Sequence, residues 1–534
     1  MYGKLHSACL YGIDGVLIEV ETDLSNGLPQ TSIIGLPDSA IREAVERVRA
    51  AIKNCGYQYP LQRITINLAP ADLRKEGSSF DLAIAIGLLT TSGQLVLPAQ
   101  ERTLVVGELA LDGSVRSVPG ILSMVDLAKR QGFTSVLLPA DNLEEASLIR
   151  GIRVYGIRHL QDIVPEQKTN SKNRKGMMQN TGPVVLKDYT HLSALIPNVR
   201  DMEPQERPMR SPSLDDDYSD VLGQHHVKRA LMIAAAGMHN ILLVGPPGTG
   251  KTMLIKRLPT ILPPLSEDEA LEVTKVLSAA GKLKETSRGL VADRPFRSPH
   301  HTISTSGLIG GGGIPKPGEV SLAHRGILFL DELPEFQRQV LEVLRQPLED
   351  RKVTISRARA AFTFPAQFML ACSMNPCPCG YLSAQSEDQR CICSPARVAA
   401  YRAKISGPLL DRIDLQVEVP PSGEWRKAGA SPSSAEMQAK VIHAHHIQAA
   451  RYANSSVRWN SQLSGTLLRR TIRLPEEADQ LLQQTLQTLN LSMRAHDRII
   501  KMAQTIADLD HDGVILTAHV AEAIQYRQLD LNLF

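Results

Sequence analysis

The sequence predicts an α/β chain built in three parts: an N-terminal α/β domain, an αβα core and a helical C-terminal region. Three observations carry this. Apolar runs of strand length alternate with helix-period segments through most of the chain. One such run, ILLV, opens directly into GPPGTGKT at positions 241–252. Beyond about residue 434 the pattern turns helical to the end, with DRIIKMAQTIADL (497–509) strongly amphipathic.

The chain has 534 residues, 43% of them apolar. That suffices for a buried core in each of about three domains. Lys and Arg number 59 against 56 Asp and Glu, a net charge of +3. The global charge therefore selects no partner, and any nucleic-acid surface must be a local patch. No run approaches the ~18 apolar residues that cross a bilayer. MYGKLHSACLYGIDG has no apolar core of a secretory signal. The expectation is a cytoplasmic protein with no membrane partner, whose thiols stay reduced.

Taken in order, residues 1–165 form the N-terminal domain. GVLIEVET and RITINLAP read as strands. DSAIREAVERVRAAIKNCG reads as a helix: Asp38 caps it, Ile41, Ala44, Val45, Val48 and Ile52 make one apolar face, and Gly56 follows its end. DLAIAIGLLTTSG is apolar all round, so it is expected as a buried helix. Residues 166–213 are polar, proline-bearing and aperiodic, which predicts a linker. In 214–424, ILLVGPPG, ILFLDEL and QFMLACSM supply core strands, and 425–534 is a helical lid.

The GPPGTGKT segment places Gly245, Pro246, Pro247, Gly248, Thr249, Gly250, Lys251 and Thr252 at phosphate-loop spacing. Glycines let backbone N–H groups cradle phosphates. Lys251 would reach the β and γ phosphates of ATP, and Thr252 would hold Mg²⁺. A chance glycine-rich loop is the bland alternative, opposed by the preceding strand. GILFLDEL ends an apolar strand in two acids. Asp331 would hold the magnesium ion and Glu332 would polarise the attacking water. The competing reading is a mere helix cap.

With SMNP, GPLLDRIDL and SMRAHDRIIKMAQTIADL following in order, the chain resembles AAA+ ATPases of the magnesium-chelatase and minichromosome-maintenance clade. That resemblance implies roles for three further residues. Asn375 is sensor 1, Arg412 an arginine finger donated to a neighbouring subunit, and Arg494 is sensor 2 on the lid. The bland alternative for both arginines is a surface ion pair. Longer blocks, LGQHHVKRALMIAAAGMHNILLVGPPGTGKT, RPFRSPHHTISTSGLIGGGGIPKPGEVSLAHRGILFLDEL and CSMNPCPCG, resemble the YifB/ComM family over nearly the whole chain. The family implies a homo-hexameric, ATP-dependent DNA motor. It migrates branches and promotes DNA integration by homologous recombination during natural transformation. Its implied partners are single-stranded and branched DNA, bound without sequence preference, and recombination proteins.

The stretch between Lys251 and Asp331 is wide for a simple core. It carries Arg294, Arg297, His300 and His301 beside a glycine tract. Related helicases project an insert here into the ring's channel; an ordinary solvated loop is the alternative. KVTIS and AFTFPAQFML flank RARA. The related helicases carry a hairpin at this point, which would put Arg357 and Arg359 on DNA phosphates. An exposed charge pair without a partner is the competing reading.

Four of the seven cysteines fall in MNPCPCGYLSAQSEDQRCICS. Cys377 and Cys379 are separated from Cys391 and Cys393 by residues 380–390. A loop that long can fold back and set four sulfurs around Zn²⁺. Free thiols and a redox switch are the alternatives. Cys372 is expected to be packed in the core, with Cys9 and Cys55 structural.

LAPADLRKEGSSFDLAIAIGLL and VVGELALDGSVRSVPGILSMVDLAKRQGFTSVLLP resemble the proteolytic domain of Lon. Ser79 falls on the catalytic serine, but Leu122 stands where the lysine belongs. A serine without a base is a poor nucleophile. The expectation is a retained fold without the protease. A Lon-like ATP-dependent protease and a chelatase-type remodelling subunit remain the alternative functions.

Overall fold

The computed structural model describes residues 1–73, 75, 77–164, 184–193, 217–283, 289–313, 315–357, 360–382, 390–420, 431–455, 457–489, 492–511 and 513–527. The N-terminal sheet has seven strands: β1 (Tyr2–Tyr11), β2 (Asp14–Ser25), β3 (Gln30–Ile34), β4 (Arg63–Ala69), β5 (Thr103–Val105), β6 (Ser135–Pro139) and β7 (Arg153–Ile157). Their order is β7-β6-β5-β1-β2-β4-β3. β1 and β2 pair antiparallel over their whole length, His6 opposite Glu19. Alternation does its work in β2: Ile18, Val20 and Leu24 are buried while the acids between them are not.

Helix α1 (Ser39–Asn54) begins where expected, with the Asp38 carboxylate accepting from the Ile41 N–H at 2.8 Å. Its Ile41, Ala44, Val48 and Ile52 are buried, and Gly56 turns the chain at φ +83°. Helix α2 (Asp81–Thr91) is buried on every side except at Thr90. Helix α3 (Ile121–Arg130) covers a second apolar cluster beside β5 and β6.

The stretch expected as a linker differs in part. Val184–Val185 pairs in parallel with Leu95–Val96, and Leu186, Tyr189 and Leu192 are buried in the N-terminal core. Tyr189 donates its hydroxyl to the Pro98 carbonyl at 3.1 Å. These five side chains, at irregular spacing among Lys, Asp, Thr and His, leave no period to read. The remaining residues of the expected linker lie outside the described residues.

The central sheet has five strands, all parallel: β8 (Ile241–Val244), β9 (Phe296–Arg297), β10 (Ile327–Leu330), β13 (Met369–Met374) and β14 (Leu415–Glu418), with the antiparallel hairpin β11 (Lys352–Arg357) and β12 (Ala360–Pro365) lying outside it. The order is β9-β10-β13-β8-β14. The strands at its centre, ILLV, ILFL and MLACSM, are apolar at every position but Ser373, because both faces are covered. Ile241, Leu243, Phe329 and Ala371 face one cluster; Leu242, Val244, Leu330 and Cys372 face the other. Flanking helices are α4 (His225–Gly237), α5 (Lys251–Lys256), α6 (Glu267–Ala279), α7 (Arg345–Asp350) and α8 (Pro395–Arg402).

The C-terminal helices α9 (Ser434–Arg451), α10 (Glu476–Leu489), α11 (Met493–Leu509) and α12 (Thr517–Gln525) share a hydrophobic core with the sheet. Leu231 and Ile233 of α4 join Val441, Ile499, Ala503 and Ile506 in it. A polar chain crosses the same boundary. His239 meets Thr505 at 2.8 Å, Asn460 donates to Thr505 and to Asp508, and Arg498 pairs with Asp414 at 3.2 Å.

The N-terminal domain docks on the core at two places. Lys275 of α6 pairs with Asp126 of α3 at 2.5 Å, both nearly buried. At the other, Tyr11 stacks on Phe362 of β12 with centroids 4.7 Å apart. Gly12, at φ +70°, lies so close that a Cβ there would sit 2.7 Å from the Thr363 carbonyl.

Candidate functional site

Sheet order brings the site together: β8, β10 and β13 lie side by side and end in the phosphate loop, in Asp331 and Glu332, and in Asn375. The loop must begin on glycine, because a Cβ on Gly245 would fall 2.3 Å from the Val419 carbonyl. Gly248 takes φ +80°, and a side chain there would point into open space, leaving room for a ligand over the loop. Thr249 folds back to donate to the Pro246 carbonyl at 2.9 Å.

Lys251 starts α5, and its ammonium donates to the carbonyls of Gly245 and Pro246 at 2.7 and 2.8 Å. It also reaches Asn375 Oδ1 at 3.2 Å. Burial lowers its pKa from the ordinary lysine value, opposed by the charges of Asp331 and Glu332. Thr252 donates to Asp331 Oδ2 at 2.8 Å, and Ser373 donates to Asp331 Oδ1. Glu332 is exposed and sits in left-handed backbone at φ +53°. Its N–H donates to Asp331 at 3.2 Å and to Ser373 at 3.4 Å. A non-glycine residue held there is strained, by about 1 kcal/mol. The donor set fits a nucleotide and its magnesium ion: one ammonium and open backbone for phosphates, one hydroxyl and one carboxylate for the metal.

Arg412 and Arg494 lie together but apart from this cluster. Both line a cavity of about 470 Å³ with Arg351, Arg498 and Lys501, and no residue of 245–252, nor Asp331, Glu332 or Asn375, lines it. Arg412 pairs with Glu349 and donates to the Pro408 carbonyl at 2.7 Å. Arg494 is exposed at the first turn of α11.

Cys377, Cys379, Cys391 and Cys393 bring their sulfurs within 4.8 Å of one another. The closest approaches are 3.3, 3.6 and 3.7 Å. Four thiolates about 2.3 Å from one tetrahedral zinc lie about 3.8 Å apart, whereas a disulfide needs about 2.05 Å. The set can hold a metal ion. Donation from the Tyr381 N–H, with other donors of the cluster, holds the Cys379 thiol down to about 6. Cys391, despite the Cys393 N–H, is pushed up to about 12 by desolvation and the neighbouring thiols. Without a cation the four sulfurs cannot all be thiolates. The knuckle also braces the nucleotide site: a Cβ on Gly380 would be 2.6 Å from Pro247 Cδ. Cys9, Cys55 and Cys372 are buried, and burial pushes the Cys372 thiol far up.

Other expected residues are placed differently. Arg294 does not project from an insert. It is buried, pairs with Glu269 at 2.9 Å and donates to the carbonyls of Pro263, Pro264 and Arg325. Arg297 pairs with Glu319 through both its Nε and Nη2. His300 and His301 stack on each other, centroids 4.1 Å apart. Of Arg357 only the backbone is described, at the end of β11, and Arg359 lies outside the described residues. Ser79 is nearly buried in the turn before α2, and Leu122 is fully enclosed in the apolar cluster under α3, offering no base.

Three family descriptions match the chain in order. Subunit ChlI of Mg-chelatase matches residues 20–142, magnesium chelatase subunit ChlI matches 217–426, and the ChlI C-terminal description matches 431–527. A protein named YifB from Salmonella typhimurium is 41% identical over 98% of this chain and 97% of its own length. Competence protein ComM from Haemophilus influenzae is 40% identical with the same coverage. The chain belongs to the YifB/ComM family. As a YifB/ComM protein it is an AAA+ ATPase of magnesium-chelatase type, a family that works with ATP and Mg²⁺. A shorter likeness, 30% identity over 173 residues, links it to Lon protease 2 of Bacillus subtilis. No described helix is long and apolar enough to cross a membrane.

Ser373 is the site residue that sequence reasoning missed. It is a lone hydroxyl in the apolar strand LACSM, two residues before Asn375, and therefore faces the same way as that side chain. That alternation was the available signal.

Proposed function

We propose that this protein is a hexameric, ATP-dependent DNA motor that migrates branches during natural transformation and so extends recombined DNA. Lys251 holds the β and γ phosphates. Thr252 and Asp331 hold the magnesium ion, which when bound neutralises phosphate oxygens. Glu332 takes the proton of the attacking water, and Asn375, tied to Lys251, orients that water against the γ phosphate. Arg412 and Arg494 serve the nucleotide of a neighbouring copy. Their shared cavity, lined by no phosphate-loop residue, is the observation that carries the ring. The DNA assignment rests on the relative named as a competence protein and on the β11–β12 hairpin, where Arg357 ends β11 and Arg359 follows two residues on in the sequence. Cys377, Cys379, Cys391 and Cys393 bind one Zn²⁺, which fixes the knuckle against the phosphate loop.

The decisive experiment measures ATP turnover by the purified full chain with single-stranded DNA, with a synthetic three- or four-way junction and with casein. A strand-exchange readout on the junction accompanies it. DNA should stimulate turnover, and the junction should resolve only with hydrolysable ATP. Stimulation by casein with casein cleavage, and none by any DNA, would replace this reading with the Lon-like one.

A further inference from the structure

Arg412 has one unusual neighbour. Its side chain is only 11% exposed, yet the carboxylate paired with it among the described residues, Glu349, is 57% exposed. Its Nε is buried without a hydrogen-bond partner. A more buried acid lines the same cavity. Asp414 is buried and engaged by Arg498, His239 and the Asn240 N–H. The guanidinium is thus held by the acid most open to water, through a pair of the kind worth least.

The position of Glu349 is equally specific. It lies one residue before the end of α7, and Arg351 follows in left-handed backbone at φ +57°. Arg351 donates to the Gln462 carbonyl of the C-terminal region at 3.0 Å and accepts from the Ala366 N–H at 2.9 Å. The hairpin strand β11 begins at the next residue. A second cavity, of about 990 Å³ and lined by Ser304–Ser306 and β11, is also bounded by Glu349 and Arg412. The pair is therefore a partition between two hollows, with the hairpin on one side and the lid on the other.

We propose that Glu349 is a positioning residue for Arg412. It holds the guanidinium in a lone protomer and releases it to the nucleotide phosphates of a neighbouring copy. The inference rests on the reading of Arg412 as a finger acting in trans. A buried guanidinium left unpaired is costly, so the free protomer needs an anion there. A half-solvated carboxylate satisfies it without fixing it. Phosphate oxygens present more charge to the same planar fork and win the competition. Ring closure is thereby opposed by an ion pair inside each chain, and the pair belongs to the helix that leads into the hairpin.

The test is ATP turnover per chain against protein concentration, for wild type, Glu349→Gln, Glu349→Asp, Arg412→Ala and Glu349→Gln/Arg412→Ala. Glu349→Gln keeps the shape and removes the competing charge. Its half-maximal protein concentration should fall about two- to five-fold, the range such a pair is worth. Maximal turnover should stay unchanged, and Glu349→Asp should return the curve toward wild type. In the Arg412→Ala background, where turnover should be lost, the substitution should restore none of it. An unmoved curve for Glu349→Gln, or a lower maximal rate, overturns the proposal. Wild-type turnover by Arg412→Ala alone would instead remove the finger reading, and this inference with it.

Discussion

The proposed roles put Lys251 and Glu332 on the two sides of hydrolysis. Lys251 is woven into the loop by two carbonyls and into the end of β13 by Asn375, which suits the proposed ground-state role. Glu332 is exposed, strained and bound to its surroundings chiefly through its backbone, so its carboxylate is available to water. Lys251→Ala should lose nucleotide binding, read by titration with a fluorescent ATP analogue. Glu332→Gln should bind that analogue with wild-type affinity yet release phosphate about 100-fold more slowly, as loss of a general base does. Wild-type turnover by Glu332→Gln would move the general base elsewhere. These residues were legible because the loop spacing and the strand ending in two acids are local patterns. Ser373 was hidden in a strand read as purely apolar. The separation of Arg494 from the loop was equally hidden, because spacing along a chain does not say which side chains the fold brings together.

At the scale of elements, the cysteine cluster sits between β13 and α8, so it shares one strand end with Asn375. Protein purified without chelator should carry about one zinc per chain, the stoichiometry of a four-thiolate site. Metal analysis by mass spectrometry reads it. Cys377→Ser/Cys379→Ser should lose the zinc and weaken ATP binding as well, because Gly380 rests on Pro247. Zinc absent from the wild type would dispose of the site. The β11–β12 hairpin makes a separate prediction. Arg357→Ala/Arg359→Ala should weaken DNA binding about equally for all sequences. Each lost phosphate contact should lower the log–log salt slope by roughly 0.7 for single strands or 0.9 for duplex. An unchanged slope would return both arginines to an ordinary solvated pair. Helices α1 and α2 were legible from a cap and an apolar pattern. Residues 184–193 were not, because they gain order only from the N-terminal core they cover. Nor was Arg294, whose burial depends on Glu269 from a distant helix.

At the scale of the whole molecule, the informative contact is the one no sequence pattern announced, between the N-terminal domain and the ATPase. Asp126 and Lys275 look like ordinary surface charges in their helices; only docking buries them, at 12% and 11% exposure. Helix α6 then acts as a strut. One end holds the N-terminal domain through Lys275 and through Ser278, which donates to Glu145. The other holds Arg294 and Arg325 through Glu269 and Glu272. Asp126→Asn would leave the Lys275 ammonium buried without its counter-charge, at a cost of about 3 kcal/mol. Asp126→Leu/Lys275→Met, which removes both charges, should recover most of that loss, because buried ion pairs are often no better than well-packed apolar groups. Urea unfolding followed separately by N-terminal and C-terminal fluorescent labels reads both effects. The single variant should bring the N-terminal transition to lower urea, and the double variant should restore it. Equal midpoints for wild type and Asp126→Asn would mean that the pair does not hold the domains together. The Ser278–Glu145 hydrogen bond and the stacking of Tyr11 on Phe362 would then have to carry the docking.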